Sequence, residues 1–128
     1  ADRPGWSQAV ADPPIRAVLA AMHEDIARSW TLDDLARLAG LSRTALAERF
    51  RTALGDTPLS HLRTLRMQKA MQVLSETSTT LEQVAQAVGY QDAFGFSKVF
   101  KRTTGVSPRA FRQQDALDKL QPWRLQAE

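Results

Sequence analysis

Basic side chains are concentrated in the middle of this sequence, and their clustering is the first feature that could do chemistry. Residues 42–113 contain eleven Lys or Arg and five Asp or Glu, although the net charge of the 128-residue chain is only +3. Because a local excess of positive charge attracts polyanions, this distribution favours a nucleic-acid partner. A basic face that is simply solvated is the alternative explanation.

Residues suited to catalysis or metal binding are few. The chain has no cysteine, and His23 and His61 are its two histidines. A thiolate nucleophile is therefore excluded, and a zinc site would have to be built almost entirely from carboxylates. Ser60 directly precedes His61, and adjacent residues of a helix do not face each other. Since the sequence supplies no nucleophile with a base, no metal cluster and no phosphate-binding loop, we expect neither an enzyme nor a cofactor.

Apolar segments are short throughout the chain. None approaches the ~20 residues that a membrane-spanning helix requires, and the N-terminus lacks the layout of a signal peptide. Together with the absence of cysteine, this predicts a cytoplasmic protein with no membrane partner.

The elements that must position the basic residues are all predicted to be helical. Apolar residues recur at steps of three and four, and capping residues, prolines and glycines separate one run from the next. Asp12 is expected to cap the first helix, which Pro13 and Pro14 open. Because no stretch alternates as a strand does, the expected fold class is all-α. The expected helices cover about 12–29, 31–40, 42–55, 58–75, 80–89, 92–105 and 107–112.

Two segments of the sequence repeat each other, LARLAGLSRTALAERF at 35–50 and VAQAVGYQDAFGFSKVF at 84–100. The first helix and glycine turn of one copy align with those of the other when 49 is added to each residue number. The second helix and the turn after it align when 50 is added. One residue was therefore added near Gln91. Since caps, turn glycines and core positions repeat together, the unit is a supersecondary motif.

The repeated unit is a short helix, a glycine turn and a capped helix, which is the sequence form of a helix-turn-helix. Ala36 and Ala85 precede the turn glycines by four residues, where a small side chain lets two helices cross closely. The second helix of such a motif can enter a major groove with its first turns. Thr31 and Thr80 mark helix N-termini whose free N–H groups suit phosphate oxygens.

A long helix over about 58–75 is predicted between the two motifs. At 1.5 Å per residue it measures about 27 Å, which approaches the ~34 Å of one DNA turn. Two protruding helices held at its ends could therefore enter successive major grooves. Arg66 lies within its apolar stripe, where a structural role is favoured over the alternative of DNA contact. The stripe consists of Leu59, Leu62, Met67, Ala70, Met71, Val73 and Leu74.

The second motif resembles the signature of the AraC/XylS family of transcription regulators. The stretch VGYQDAFGFSKVFKRTTGVSPRAFR at 88–112 is similar to that signature in three features: the Gly-aromatic turn, the Phe-Ser-basic-x-Phe-Lys run and the Gly-x-Ser-Pro-x-x-aromatic-Arg ending. LARLAGLSRTALAERFRTALGDTP resembles the more variable first half of the family domain, and LRTLRMQKAMQVL resembles its linker helix.

The resemblance implies seven helices in two helix-turn-helix subdomains, about 32–54 and 81–104, joined by the linker helix. It implies an AraC-type DNA-binding domain at 12–113, preceded at 1–11 by a linker to a missing N-terminal effector or dimerisation domain and followed by a C-terminal tail at 114–128. It also implies sequence-specific binding to double-stranded DNA and regulation, usually activation, of bacterial transcription through RNA polymerase.

The resemblance also implies which residues contact DNA. The base-facing candidates are Arg43, Thr44, Ala47 and Glu48 in the first recognition helix and Ala93, Phe94, Ser97 and Lys98 in the second. With Thr31 and Thr80 at the helix N-termini, the phosphate candidates are Ser42, Arg51, Lys101 and Arg102. Glu48 and Lys98 stand where the family often has Arg. Glu48 could accept from a cytosine amino group or repel phosphates, and Lys98 keeps the charge of Arg but loses its bidentate geometry.

An alternative function is a basic helical adaptor that binds an acidic protein partner through the basic middle segment and the apolar stripes. Salt dependence and discrimination between specific and random duplexes distinguish the two functions.

Overall fold

Seven helices form between residues 11 and 121, the part of the chain that the computed structural model describes. They are α1 Pro13–Glu24, α2 Leu32–Ala39, α3 Arg43–Leu54, α4 Pro58–Glu76, α5 Leu81–Ala87, α6 Ala93–Thr104 and α7 Pro108–Lys119. No strand forms in this range, so the all-α prediction is confirmed. Most of the expected linker at 1–11 and the end of the expected tail lie outside the described residues. None of the described helices is long and apolar enough to cross a membrane.

Side-chain caps explain where three of these helices begin. Ser42, Asp92 and Ser107 each accept a hydrogen bond from the backbone N–H three residues further on, at 3.1, 2.8 and 3.0 Å. Each of these bonds satisfies a donor that has no partner within its own helix. The starts of α3, α6 and α7 are therefore encoded locally, as the sequence predicted.

The start of α1 differs from the prediction that Asp12 caps it. The Asp12 side chain makes no cap hydrogen bond. Its two carboxylate oxygens instead accept from the Arg49 guanidinium on α3, at 2.7 and 3.2 Å. Because Pro13 and Pro14 have no N–H, little of the first turn is left to cap, and a bidentate pair with a guanidinium is the stronger use of the carboxylate.

The chain divides between Leu65 and Arg66 into two compact units, each with its own hydrophobic core. We call them the first unit and the second unit. The first core consists of Ile15, Val18, Leu19 and Met22 of α1, Leu35 and Ala36 of α2, Leu46, Phe50 and Ala53 of α3, and Leu62 and Leu65 of α4. The second consists of Met67, Ala70 and Leu74 of α4, Val84, Ala85 and Val88 at α5, and Phe96 and Phe100 of α6.

Helix α4 therefore supplies side chains to both cores, which accounts for its wide apolar stripe. Of the predicted stripe residues, Leu59 is the exception, since it is 39% exposed. Leu65, which the stripe omitted, is buried. The guanidinium of Arg66 lies over the Tyr90 ring at 5.8 Å from its centroid, in keeping with a structural role.

Helix α7 extends about two turns beyond the end predicted near Arg112. Arg112 donates to the Leu74 and Thr79 carbonyls at 3.1 and 2.8 Å, and Lys119 donates to the Ser75 carbonyl. These carbonyls lie at and beyond the C-terminal end of α4, where cations are favoured by the helix dipole. The added length of α7 is thus stabilised by tertiary contacts, which the spacing of apolar residues in its sequence does not predict.

The His61 side chain is half-buried in the first unit. The His61 ring of α4 meets the Phe50 ring edge-on, with 5.5 Å between centroids. Burial lowers the pKa of His61 below its usual value, His23 lowers it further, and Asp56 opposes both. The folded chain therefore binds a proton at His61 less readily than the unfolded chain does.

We expect the free energy of unfolding to fall as pH decreases from about 7.5 to about 5, because the unfolded chain gains the proton first in this window. The His61 contribution is fully present above the unfolded pKa and is lost as pH falls toward the folded one. Urea unfolding of the His61→Gln variant should show a shallower pH dependence over this range. Identical slopes for the variant and the unmodified chain would contradict this assignment.

Candidate nucleic-acid interface

The two helix-turn-helix motifs, α2 with α3 and α5 with α6, are closed by the same backbone hydrogen bond. In the first, the N–H of Leu41 donates to the Ala36 carbonyl at 3.0 Å, and in the second the N–H of Tyr90 donates to the Ala85 carbonyl at 2.9 Å. The intervening glycines have φ of 70° and 93°, in the left-handed region. The repeat that the sequence shows is thus also a repeat of backbone geometry, of the kind that ends a helix sharply.

A small buried residue precedes the turn glycine of each motif by four positions. Ala36 is 5% exposed and Ala85 is fully buried. Each belongs to the core of its own unit, beside Phe50 in one and Phe100 in the other. A larger side chain at either position would displace the second helix of the motif, because protein cores have little spare volume.

Both phosphate candidates at helix N-termini, Thr31 and Thr80, form complete capping boxes. The N–H of Thr31 donates to Asp34 Oδ2 at 3.1 Å, and the Asp34 N–H returns a bond to the Thr31 hydroxyl at 3.0 Å. Gln83 plays the same part for Thr80. The hydrogen bond from the Thr31 backbone N–H, and after it the Thr31 side chain, also hold the pKa of the Asp34 carboxyl below its usual value. The capping box uses the N–H groups of the cap residue and of the third helical residue. The N–H groups of the first and second helical residues therefore remain available to a phosphate.

The first recognition helix, α3, turns its predicted site residues away from the core. Arg43, Thr44 and Glu48 are exposed and Ala47 is half-buried. The opposite face carries the fully buried Leu46 and Phe50. The phosphate candidates Ser42 and Arg51 are exposed as well.

The second recognition helix, α6, has the same division into two faces. Phe94 and Lys98 are exposed, Ala93 and Ser97 are half-buried, and the phosphate candidates Lys101 and Arg102 are exposed. Phe96 and Phe100 are fully buried on the other side. Each predicted set of base-facing residues therefore shares one accessible face of its own helix.

An acidic residue of the preceding helix contacts the start of each recognition helix, a feature that we did not predict. Asp33 Oδ1 lies 3.4 Å from Arg43 Nε. In the second motif Glu82 Oε2 accepts from the Ala93 N–H at 3.3 Å. Asp33 and Glu82 align at the offset of 49, so the repeat shows that both motifs carry an acidic residue here. No rule of helix spacing, however, predicts a contact with a residue 10 or 11 positions later.

Arg49 is a second residue to which we assigned no role. It lies on α3 beside Glu48, and its bidentate pair with Asp12 joins the recognition helix to the start of α1. With a side-chain exposure of 43% for Arg49 and 23% for Asp12, the pair is partly shielded from solvent.

The described residues contain no group of three His, Asp or Glu side chains placed to hold a metal ion. What the two motifs offer to a ligand is a pair of exposed helix faces, each beginning near a capped N-terminus and followed by basic side chains.

Comparison with known proteins agrees with this geometry. The sequence model of a family described as a helix-turn-helix domain matches residues 35–114. The transcriptional regulator AlkR of Acinetobacter baylyi is 34% identical over 113 residues, which cover 88% of this chain and 37% of that protein. The chain thus spans little more than a third of the length of this relative.

Two solved structures share the fold. An AraC-type transcriptional regulator from Chromobacterium violaceum is 29% identical with a TM-score of 0.77, and the match covers 89% of this chain and 98% of that one. The DNA-binding domain of the global transcriptional factor AdpA, solved with a target DNA, is 29% identical with a TM-score of 0.79, over 86% and 98% of the two chains.

The family match covers more than half of the sequence, and a solved AraC-type regulator shares the fold at 29% identity. The chain therefore belongs to the AraC/XylS family of transcription regulators and contains its helix-turn-helix DNA-binding domain.

Proposed function

We propose that this chain binds double-stranded DNA in a sequence-specific manner through both helix-turn-helix motifs and so regulates transcription. The observation that carries the proposal is the exposed face of each recognition helix, which lies opposite a face fully buried in its own core. A major groove admits a helix presented in this way. The AdpA domain, which has the same fold, was solved with DNA.

Base contacts are assigned to Arg43, Thr44, Ala47 and Glu48 in the first motif and to Ala93, Phe94, Ser97 and Lys98 in the second. Their shared exposed faces support this assignment. Arg51, Lys101 and Arg102 lie later on the same two helices, where their charge suits phosphates. Ser42 at the start of α3, and Thr31 and Thr80 at the helix N-termini, complete the phosphate set. We further propose that the motifs occupy successive major grooves, with α4 as the spacer.

The proposed regulatory context extends beyond this domain. Residues 12–113 would form the DNA-binding domain, 1–11 a tether to an N-terminal effector or dimerisation domain, and 114–128 a tail. RNA polymerase is the proposed partner in activation. The greater length of the relatives and the activator named among them, RclR of Escherichia coli, support this view. We propose no catalytic role, and family membership does not favour the acidic-partner adaptor.

Selection of duplexes from a random pool, followed by footprinting, tests the function. We expect a selected duplex to be protected over about two helical turns and to bind more weakly as salt rises, because the motifs would fill successive grooves and release phosphate counterions. A footprint shorter than about ten base pairs would contradict the two-groove proposal. Salt-insensitive binding with no preference among duplexes would favour the adaptor instead.

Lys101 and Arg43 should differ in how their loss alters binding. Lys101→Gln should weaken binding to all duplexes about equally and reduce the slope of log affinity against log salt by about 0.9, because one phosphate contact is lost. Arg43→Gln should cost about 1–3 kcal/mol on the selected duplex and relax preference at one position. Fluorescence anisotropy on single-substituted duplexes measures both effects. If each variant kept the affinity of the unmodified chain, the assigned faces would be wrong.

Asp33 should lower the affinity of the first motif for DNA, because its carboxylate pairs with Arg43 and repels phosphates. Its side chain is 65% exposed and that of Arg43 67%, so their ion pair contributes little stability. We expect Asp33→Asn to leave the melting temperature nearly unchanged and to raise affinity for duplex DNA severalfold. Glu24→Gln removes the same charge at the exposed end of α1 and serves as the control. An equal gain in both variants would show an effect of net charge alone.

A further inference from the structure

The first turn of α6 exposes a large apolar ring. Phe94 is 72% exposed, whereas Phe96 and Phe100 on the same helix are fully buried. Two residues correspond to about 200° around a helix, so Phe94 points away from the core that its neighbours fill. The ring therefore lies on the face that the proposed function assigns to DNA.

The two residues adjacent to Phe94 in sequence carry no polar side chain that could read a base. Ala93 and Gly95 flank it, and the Asp92 carboxylate is occupied in capping the Gly95 N–H at 2.8 Å. A Cβ at Gly95 would come within 3.3 Å of the same Asp92 oxygen, which is closer than ordinary contact. Glycine thus fits the cap.

Lys98, one helical turn later, restricts the ring. Its Nζ lies 4.6 Å from the Phe94 ring centroid, over the aromatic face. A cation in this position is attracted to the ring quadrupole, and the contact favours one orientation of both side chains. The ammonium occupies one face of the phenyl group, and its edge and other face are left for a ligand.

Chemistry in the major groove limits what such a ring can recognise. The base edges there present hydrogen-bond donors and acceptors, and the apolar group among them is the C5 methyl of thymine. The matching position of the first motif, at the offset of 50, is Thr44, which follows the charged Arg43. The two motifs therefore present different chemistry from the same scaffold.

We propose that Phe94 determines specificity by packing against a thymine methyl group in the half-site bound by the second motif. This inference rests on the proposed function. It requires that the second half-site contain a thymine whose methyl group, rather than its hydrogen-bonding edge, carries the preference.

Deoxyuridine tests this directly, because it differs from thymine only in lacking the methyl group. In a selected duplex, each thymine is replaced singly by deoxyuridine, and binding of the 128-residue chain is measured by anisotropy. We expect one replacement to weaken binding by about fourfold, as expected for one buried methyl group. The Phe94→Ala variant should bind the two duplexes equally, and Phe94→Leu should retain part of the difference.

Thr44→Ala is the matched control, since it changes the equivalent position of the first motif. It should leave the fourfold difference at the Phe94-dependent thymine intact. Equal melting temperatures for the unmodified chain and Phe94→Ala exclude a folding defect, as expected for an exposed side chain.

The outcomes separate the two proposals. If the unmodified chain binds its selected duplex but no thymine shows a loss that depends on Phe94, the methyl contact is overturned and the DNA-binding function stands. If Phe94→Ala leaves every duplex affinity unchanged, the methyl contact is likewise overturned and the DNA-binding function stands. If the unmodified chain prefers no duplex, the proposed function and this inference both fail.

Discussion

The glycine turn between the two helices of each motif is the constraint on which the rest of the structure depends. Gly40 and Gly89 adopt positive φ, and the residue after each glycine donates to the carbonyl of Ala36 or Ala85. A Cβ at Gly40 would meet no atom within 4 Å, so the requirement for glycine is one of backbone conformation and not of space. Because the turn sets the angle between the helices, it also decides which face of the recognition helix is buried.

The same turn supports two recognition helices with different surfaces. In α3 the exposed face is polar, and Arg43 is paired with Asp33. In α6 the corresponding face is apolar at its start, and Lys98 covers one side of Phe94. Buried positions are similar in the two motifs because the fold demands them, whereas exposed positions have diverged. Such divergence is what a protein that reads two unlike half-sites would need.

Helix α4 has a sequence that serves two cores in succession. Its first half places Leu62 and Leu65 in the first unit, and its second half places Met67, Ala70 and Leu74 in the second. Polar contacts from α7 then complete the end of α4, where Arg112 donates to the Leu74 carbonyl and Lys119 to the Ser75 carbonyl. The contact from Lys119 gives a residue beyond the family signature a structural part in the second unit.

Much of the fold followed from local rules. Helix class, the glycine turns and most helix starts could be predicted, because each depends on residues within a few positions of one another. The residues of the recognition helices expected to face DNA were implied by the family resemblance.

Contacts between side chains distant in sequence could not be predicted. Arg49 and Asp12 are 37 residues apart, and Glu82 reaches a backbone N–H 11 residues later. The polar contacts between α7 and the end of α4 likewise became visible only in three dimensions. Sequence by itself determined the elements, since periodicity and capping act within one turn of a helix. Tertiary structure decided the partners, since an ion pair forms only where packing brings two charges together.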